Sequence, residues 1–210
     1  MRAFLCAVLF LASSAGAENP RSKFIKGFLS HYKPAESASA LPSALVKTLS
    51  DAALAQTKQP TTYDPDYRKI GYPGGDVAKD RGVCSDVVVR AYRKAGVDLQ
   101  VEVHEDMKNS FSSYPRIYGR DKPDSNIDHR RVLNLMVFFS RKGMILPISK
   151  KAEDYSAGDI VAWDLHDGVT HIGLVVEGGK IVHNIGYGPK LEDVLFDWPI
   201  IGHFRYAKGG

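Results

Sequence analysis

Residues 171–185 read HIGLVVEGGKIVHNI. Two short runs rich in β-branched residues flank Gly178-Gly179, the pattern of paired antiparallel strands joined by a hairpin. Comparable runs before and after it extend the sheet, so strands are expected over Ile160–Trp163, His171–Val176, Lys180–Ile185 and Ile201–Tyr206. Upstream the period changes. Cys84–Ala95 (CSDVVVRAYRKA) sets Val87, Val88, Ala91, Tyr92 and Ala95 at the spacing of one helix face. Asp86 falls in its first turn, Arg93 and Lys94 in its last, and Gly96 follows as a stop, all in keeping with the helix dipole and C-cap rules. A second helix is expected over His129–Lys142, capped by Asp128 and ended by Gly143. Helices first and an antiparallel sheet afterwards make the fold α+β.

The chain has 210 residues, 44% hydrophobic and 25% charged, with a formal charge of +4. That composition excludes a disordered tail, a collagen-like fibre and a multi-span membrane protein. The charge is too slight and too evenly spread for a nucleic-acid partner. Met1–Ala17 has the form of a secretory signal: Arg2, the apolar run Ala3–Ala12, then Ala15-Gly16-Ala17 as a cleavage site. The run is too short for a permanent membrane span. Cys6 lies inside it rather than at the junction, which argues against a lipoprotein. Cleavage after Ala17 would leave a periplasmic or secreted protein. Residues 18–60, with Pro20, Pro34, Pro42 and Pro60, are expected to be a peripheral extension. It is loose to about residue 40 and helical over Leu41–Gln56, where Leu45, Leu49 and Ala53 share a face. The domain proper is expected over 61–208. Nothing specifies an oligomeric state.

Removal of the leader leaves Cys84 as the sole cysteine, with no internal disulfide partner. Its predicted place at a helix N-terminus favours a thiolate, and the free N–H groups of the first turn can hold an oxyanion. Such a nucleophile needs a base, and His171, opening a strand, suits that role. The residue orienting the imidazole is His183 or Asn184. A tight two-residue turn at Gly178-Gly179 would set Glu177 opposite Lys180 and His171 opposite Gly186, which puts Asn184 on the His171 face. A bulge or a three-residue loop would put His183 there instead.

At these residues the chain resembles the NlpC-type papain-like cysteine peptidases of bacterial cell walls. The resemblance is carried by Tyr72, Gly74-Gly75, Val83-Cys84-Ser85-Asp86, Ala157-Gly158-Asp159, His171-Ile172-Gly173-Leu174 and Val182-His183. It implies a papain-like fold, with catalytic Cys84, His171 and His183, the histidines standing twelve residues apart as in that group. Two positions depart from its pattern: Val83 replaces the usual Asp, and Asp86 the usual Gly. A long insertion, about 100–158, separates helix and sheet. With Tyr63-Asp64-Pro65, His104-Glu105-Asp106-Met107, Asn126–Arg131 and His183-Asn184-Ile185-Gly186, the chain is also similar to the YijF-like family, an exported family whose domain has no established function.

The resemblance implies an amide substrate in the cell-wall stem peptide. Tyr72, Ser85, Asp86, His129, Arg130 and Asn184 are the candidate substrate-binding residues. Arg130 and Arg131 oppose the dipole of the predicted helix, which points to an anionic partner: buried acids of the protein or a carboxylate-bearing substrate. Asp164, His166, Asp167, His171 and His183 lie in one region but lack a recognised ligand spacing, so no metal and no cofactor are expected. Two other readings stand beside the peptidase. One is a thiol acyltransferase or amidase acting on another envelope substrate; the other is a catalytically silent binding module on the same fold.

Overall fold

The computed structural model describes residues 18–209. The expected leader, its cleavage point and Cys6 lie outside them. Five helices and eight strands follow in the order α1 (Pro20–Ser30), α2 (Ser43–Gln56), β1 (Thr62–Tyr63), β2 (Arg81–Gly82), α3 (Cys84–Lys94), α4 (Leu99–Ser110), α5 (Val132–Lys142), β3 (Met144–Ile145), β4 (Ile160–Asp164), β5 (Thr170–Val175), β6 (Ile181–His183), β7 (Lys190–Glu192) and β8 (Ile200–Arg205). Strands β3-β8-β4-β5-β6-β7 form one sheet, antiparallel throughout, and β1 and β2 pair in parallel beside it. The α+β class therefore holds.

Alternation along the strands divides two cores between the sheet's faces. Ile160, Ala162, Ile172, Leu174 and Phe204 meet the helices at Val88, Tyr92, Leu133 and Phe139. Val161, Trp163, Val175 and Ile181 close a smaller cluster with Tyr155 and Leu195 on the other face. The buried polar ends are satisfied: the Tyr92 hydroxyl donates to the Tyr206 carbonyl (3.0 Å), and the Trp163 indole to that of Leu195 (2.9 Å). Asp159, wholly buried at the start of β4, accepts from Arg205 and His203 of β8.

The β5–β6 connection is a three-residue loop. Leu174 pairs with Val182 and Val175 with Ile181, and the Val176 N–H donates to the Lys180 carbonyl (2.8 Å). Glu177, Gly178 and Gly179 form the turn, with φ of +80° at Gly178 and +73° at Gly179, a region that glycine enters without the Cβ clash. This is the alternative to the tight turn, and it brings His183 rather than Asn184 onto the face of His171.

Two helical expectations are corrected. The segment 18–40 is not loose at its start: Asn19 caps α1 by accepting from the Arg21 N–H (2.9 Å), and Ile25 is buried in the main core. Phe28 and Tyr32 set their ring edges against Phe204. Leu49 and Ala53 of α2 are fully buried in the same core, so residues 18–60 are part of the packing rather than peripheral to it. Asp128 does not cap α5. It opens a separate 3-10 turn, Asp128–Arg130, and its carboxylate turns back to the Asp124 N–H. Helix α5 begins only at Val132.

Candidate active site

Helix α3 begins at Cys84, as its sequence predicts. Val83 before it is extended, and its N–H is taken by the Asp86 carboxylate at 2.7 Å, one of the donors a helix start must satisfy. The other side of that carboxylate holds Arg130: Nε reaches Oδ1 at 3.0 Å and Nη2 reaches Oδ2 at 2.9 Å. Both side chains are almost completely buried. Arg130 goes on to donate to the carbonyls of Asp64 and Asp66, while the Ser85 hydroxyl donates to the Arg130 carbonyl. The Asp that replaces the usual Gly is therefore the clamp between α3, the β1 segment and the 3-10 turn. It also answers the question of the arginines: their anionic partners are the protein's own Asp86 and, for Arg131, Asp128 at 3.3 Å.

The thiol itself is only 4% exposed. Burial pushes its pKa from an ordinary 9.0 to about 11, against the opposing pull of the Ile172 N–H directed at the sulfur. A change of that size disfavours the thiolate by about 2–3 kcal/mol, more than the ~0.3–1 kcal/mol typical of a charge at a helix end. The helix start's preference for a thiolate is thus outweighed by burial, and the thiol is neutral and covered. The phenol of Tyr63 in β1 hydrogen-bonds toward it, and burial together with the neighbouring sulfur raises the Tyr63 pKa.

On β5, β6 and β7 three side chains form a line. His171 Nε2 lies 2.7 Å from His183 Nδ1, and His183 Nε2 lies 3.0 Å from Glu192 Oε2 on β7. Gly173 sits on the same face as both rings. A Cβ there would stand 2.7 Å from Ile181 Cγ2 and 3.2 Å from His183 Cβ, so the close approach of the strands needs glycine at this position. Both imidazoles are buried, flanked by Trp163 and Trp198. Burial lowers the His171 pKa to about 3 with His183 adding to it, and lowers that of His183 against the opposing Glu192. Among the hydrogen bonds of the described residues there is none between the thiol and either ring. The link between them is β5 itself: the Ile172 N–H is directed at the sulfur, and Ile172 follows His171 directly.

The other candidates are placed as follows. Ser85, Asp86 and Arg130 are buried, with their polar atoms engaged inside the protein. Asn184 is also buried: it donates to the Gly82 carbonyl (3.2 Å) and accepts from the Gly186 N–H, bridging the β6 end to β2 next to Cys84. His129 is 2% exposed, with Nδ1 unpartnered, and burial lowers its pKa to about 4. Tyr72 is exposed and lies over α4, donating to Glu105 (2.9 Å) with its ring edge on His104. The neighbouring Gly74 and Gly75 are held by Asp98, which caps α4, and by Gln100 in its first turn. The tyrosine that meets the sulfur is Tyr63, and the group that completes the histidine line is Glu192; neither has a role that the sequence pattern alone reveals. Glu192 sits in a three-residue strand whose pattern is too short to register as β. Among the described residues no cluster of three or more His, Cys, Asp or Glu is placed to hold a metal ion, and no helix is long and apolar enough to cross a membrane.

These features can be set beside known proteins. A protein from Staphylococcus aureus, similar to a lipoprotein of the NLP/P60 family, aligns with 84% of this chain at 17% identity and a TM-score of 0.42. The alignment covers 46% of that protein, so this chain spans about half its length. The uncharacterized protein YijF of Escherichia coli (strain K12) is 51% identical over 164 residues, which are 75% of this chain and 80% of the relative. The model of the domain of unknown function DUF1287 matches residues 50–206, the stretch that runs from α2 to the end of β8. The chain belongs to the DUF1287 family and is YijF-like.

Proposed function

We propose that the protein is a cysteine amidohydrolase on a papain-like, NlpC-type plan, acting in the periplasm or outside the cell on amide bonds of peptidoglycan stem peptides. The observation that carries this reading is the position of Cys84: at a helix start, with its sulfur against the Ile172 N–H of the strand whose His171 begins a line of two imidazoles and a carboxylate. The cell-wall substrate rests on the motif resemblance of the sequence. In the reaction, Cys84 Sγ passes its proton to His171 Nδ1 as it attacks the carbonyl carbon. The backbone N–H groups of Cys84 and Ser85 hold the oxyanion. Collapse breaks the C–N bond, and the imidazolium returns the proton to the departing amine. Water, deprotonated by His171, then cleaves the thioester to a carboxylic acid and the free thiol. His183 orients the ring.

A neutral thiol suits a pair in which the proton moves only when substrate is present, with Tyr63 displaced so that sulfur and imidazole can meet. Digestion of purified sacculi followed by mass analysis tests the assignment. Release of stem-peptide fragments by the wild type and none by Cys84→Ala supports it; equal release by both refutes it. The burial of the thiol favours a second reading, a silent binding module. That reading predicts no release by the wild type together with retention on sacculi in pull-down. A thiol acyltransferase or an amidase on another envelope amide would show labelling of Cys84 by an activated acyl donor without fragment release.

A further inference from the structure

We propose that Glu192 is a positioning residue that sets the proton arrangement of both imidazoles and leaves His171 Nδ1 as a bare lone pair. The inference rests on the amidohydrolase reading only for its use in catalysis; the arrangement itself follows from hydrogen-bond accounting. A neutral imidazole carries one N–H donor and one acceptor nitrogen, and a carboxylate only accepts. Glu192 Oε2, 3.0 Å from His183 Nε2, therefore requires the proton of His183 on Nε2. His183 Nδ1 is then an acceptor, and the 2.7 Å contact to His171 Nε2 requires the proton of His171 on Nε2. His171 Nδ1 is left without a proton, as a general base toward the thiol must be. Without Glu192 the same two rings can make the same contact in reverse, with His183 Nδ1 donating and His171 Nδ1 protonated. That form cannot accept from Cys84.

The remaining surroundings agree. Burial keeps both rings uncharged, so that the choice between the two forms is real. Lys190 and Asp197 also act on His183 through their charge, but neither is hydrogen-bonded to it; Lys190 sits over the Tyr187 ring. Glu192 is the outermost member of the His171–His183–Glu192 line, its side chain 38% exposed against 1% for His183.

Two-bond proton–nitrogen spectra of the full chain, labelled with nitrogen-15 and assigned with single-histidine variants, read the protonated nitrogen directly. At neutral pH the wild type is expected to show Nε2–H on both His171 and His183. Glu192→Leu is expected to move a large fraction of both rings to the Nδ1–H form, with the remaining amide resonances in place. Nδ1–H on His171 in the wild type, or an unchanged pattern in Glu192→Leu, overturns the proposal. If the variant does not fold, the wild-type spectrum still decides. In the sacculus assay Glu192→Leu should lose ~10²-fold or more in kcat with little change in KM, the loss expected when general-base catalysis fails. A wild type that releases no fragments would refute the amidohydrolase and leave the spectroscopic assignment standing.

Discussion

At Cys84 two physical effects compete. The helix start draws the sulfur toward ionisation, and burial holds it neutral; burial prevails because nearly all water is excluded from a residue only 4% exposed, with the phenol of Tyr63 hydrogen-bonded toward it. The position of this thiol was legible in the sequence because CSDVVVRAYRKA carries both a helix period and its stop. Its cover was not, since Tyr63 lies 21 residues away in a two-residue strand that leaves no pattern. Iodoacetamide labelling of Cys84 should accordingly be slow at neutral pH and rise toward a midpoint near 11. Tyr63→Ala, by admitting water, should increase the rate and lower the midpoint. Fast labelling of the wild type below pH 7 would contradict this account. Candidate residues near the thiol split in the same way: His171 and His183 were readable from their strands, whereas Tyr72 was placed by resemblance and lies over α4.

At the scale of elements, register decides which side chains meet. The Glu177–Gly179 loop has one residue more than a tight hairpin, and that residue turns His183 to the face of His171. Sequence could state both registers but not choose, because a Gly-Gly pair supports either. Gly173 then sets how closely the rings approach. Gly173→Ala should destabilise the fold by about 1–3 kcal/mol through overpacking and disturb the His171–His183 contact, measurable as a lower urea midpoint and altered imidazole resonances. An unchanged midpoint would mean that Ile181 yields without cost. Helix α1 was missed although Phe24, Phe28 and Tyr32 recur every fourth residue, because the surrounding Ser, Lys and Pro residues suggested a loose segment. Helix α5 was placed too early, since the sequence Asp-His-Arg-Arg fits a capped first turn as well as a 3-10 turn.

Across the whole molecule, buried charge ties the parts together. Arg130 and Asp86 join the α3 start to β1 and to the turn before α5, so removing one partner strands the other in the interior. Arg130→Met should cost about 3–5 kcal/mol, and Arg130→Met with Asp86→Leu should cost less than the single change; urea denaturation checks both. Acid should weaken the fold through groups held below their ordinary values. His171 and His129 bind protons more readily unfolded than folded, so stability is complete above about 6.5, the ordinary histidine value. It declines as pH falls through about 4 for His129 and about 3 for His171. Asp64, held to about 2 mainly by Arg81, adds a further loss from about 4 downward. Urea midpoints at pH 7, 5 and 4 should fall in that order, and His129→Gln should flatten the slope. A pH-independent midpoint would contradict the burial of both rings.

The seat of helix α1 has one more consequence. Asn19 donates to the carbonyl of Asp167 at 2.7 Å, and Gly168 lies so close to Arg21 that a Cβ there would stand 2.7 Å from the arginine's Cβ. The bend touched is the one that feeds β5, its Gly168 three residues ahead of His171. The amino-terminal segment is thus a strap across the approach to the base. Deleting residues 18–32 should speed amide exchange at Val169 and Thr170 while the interior of β4 stays protected, so a shortened chain can look folded and still hold its key histidine poorly.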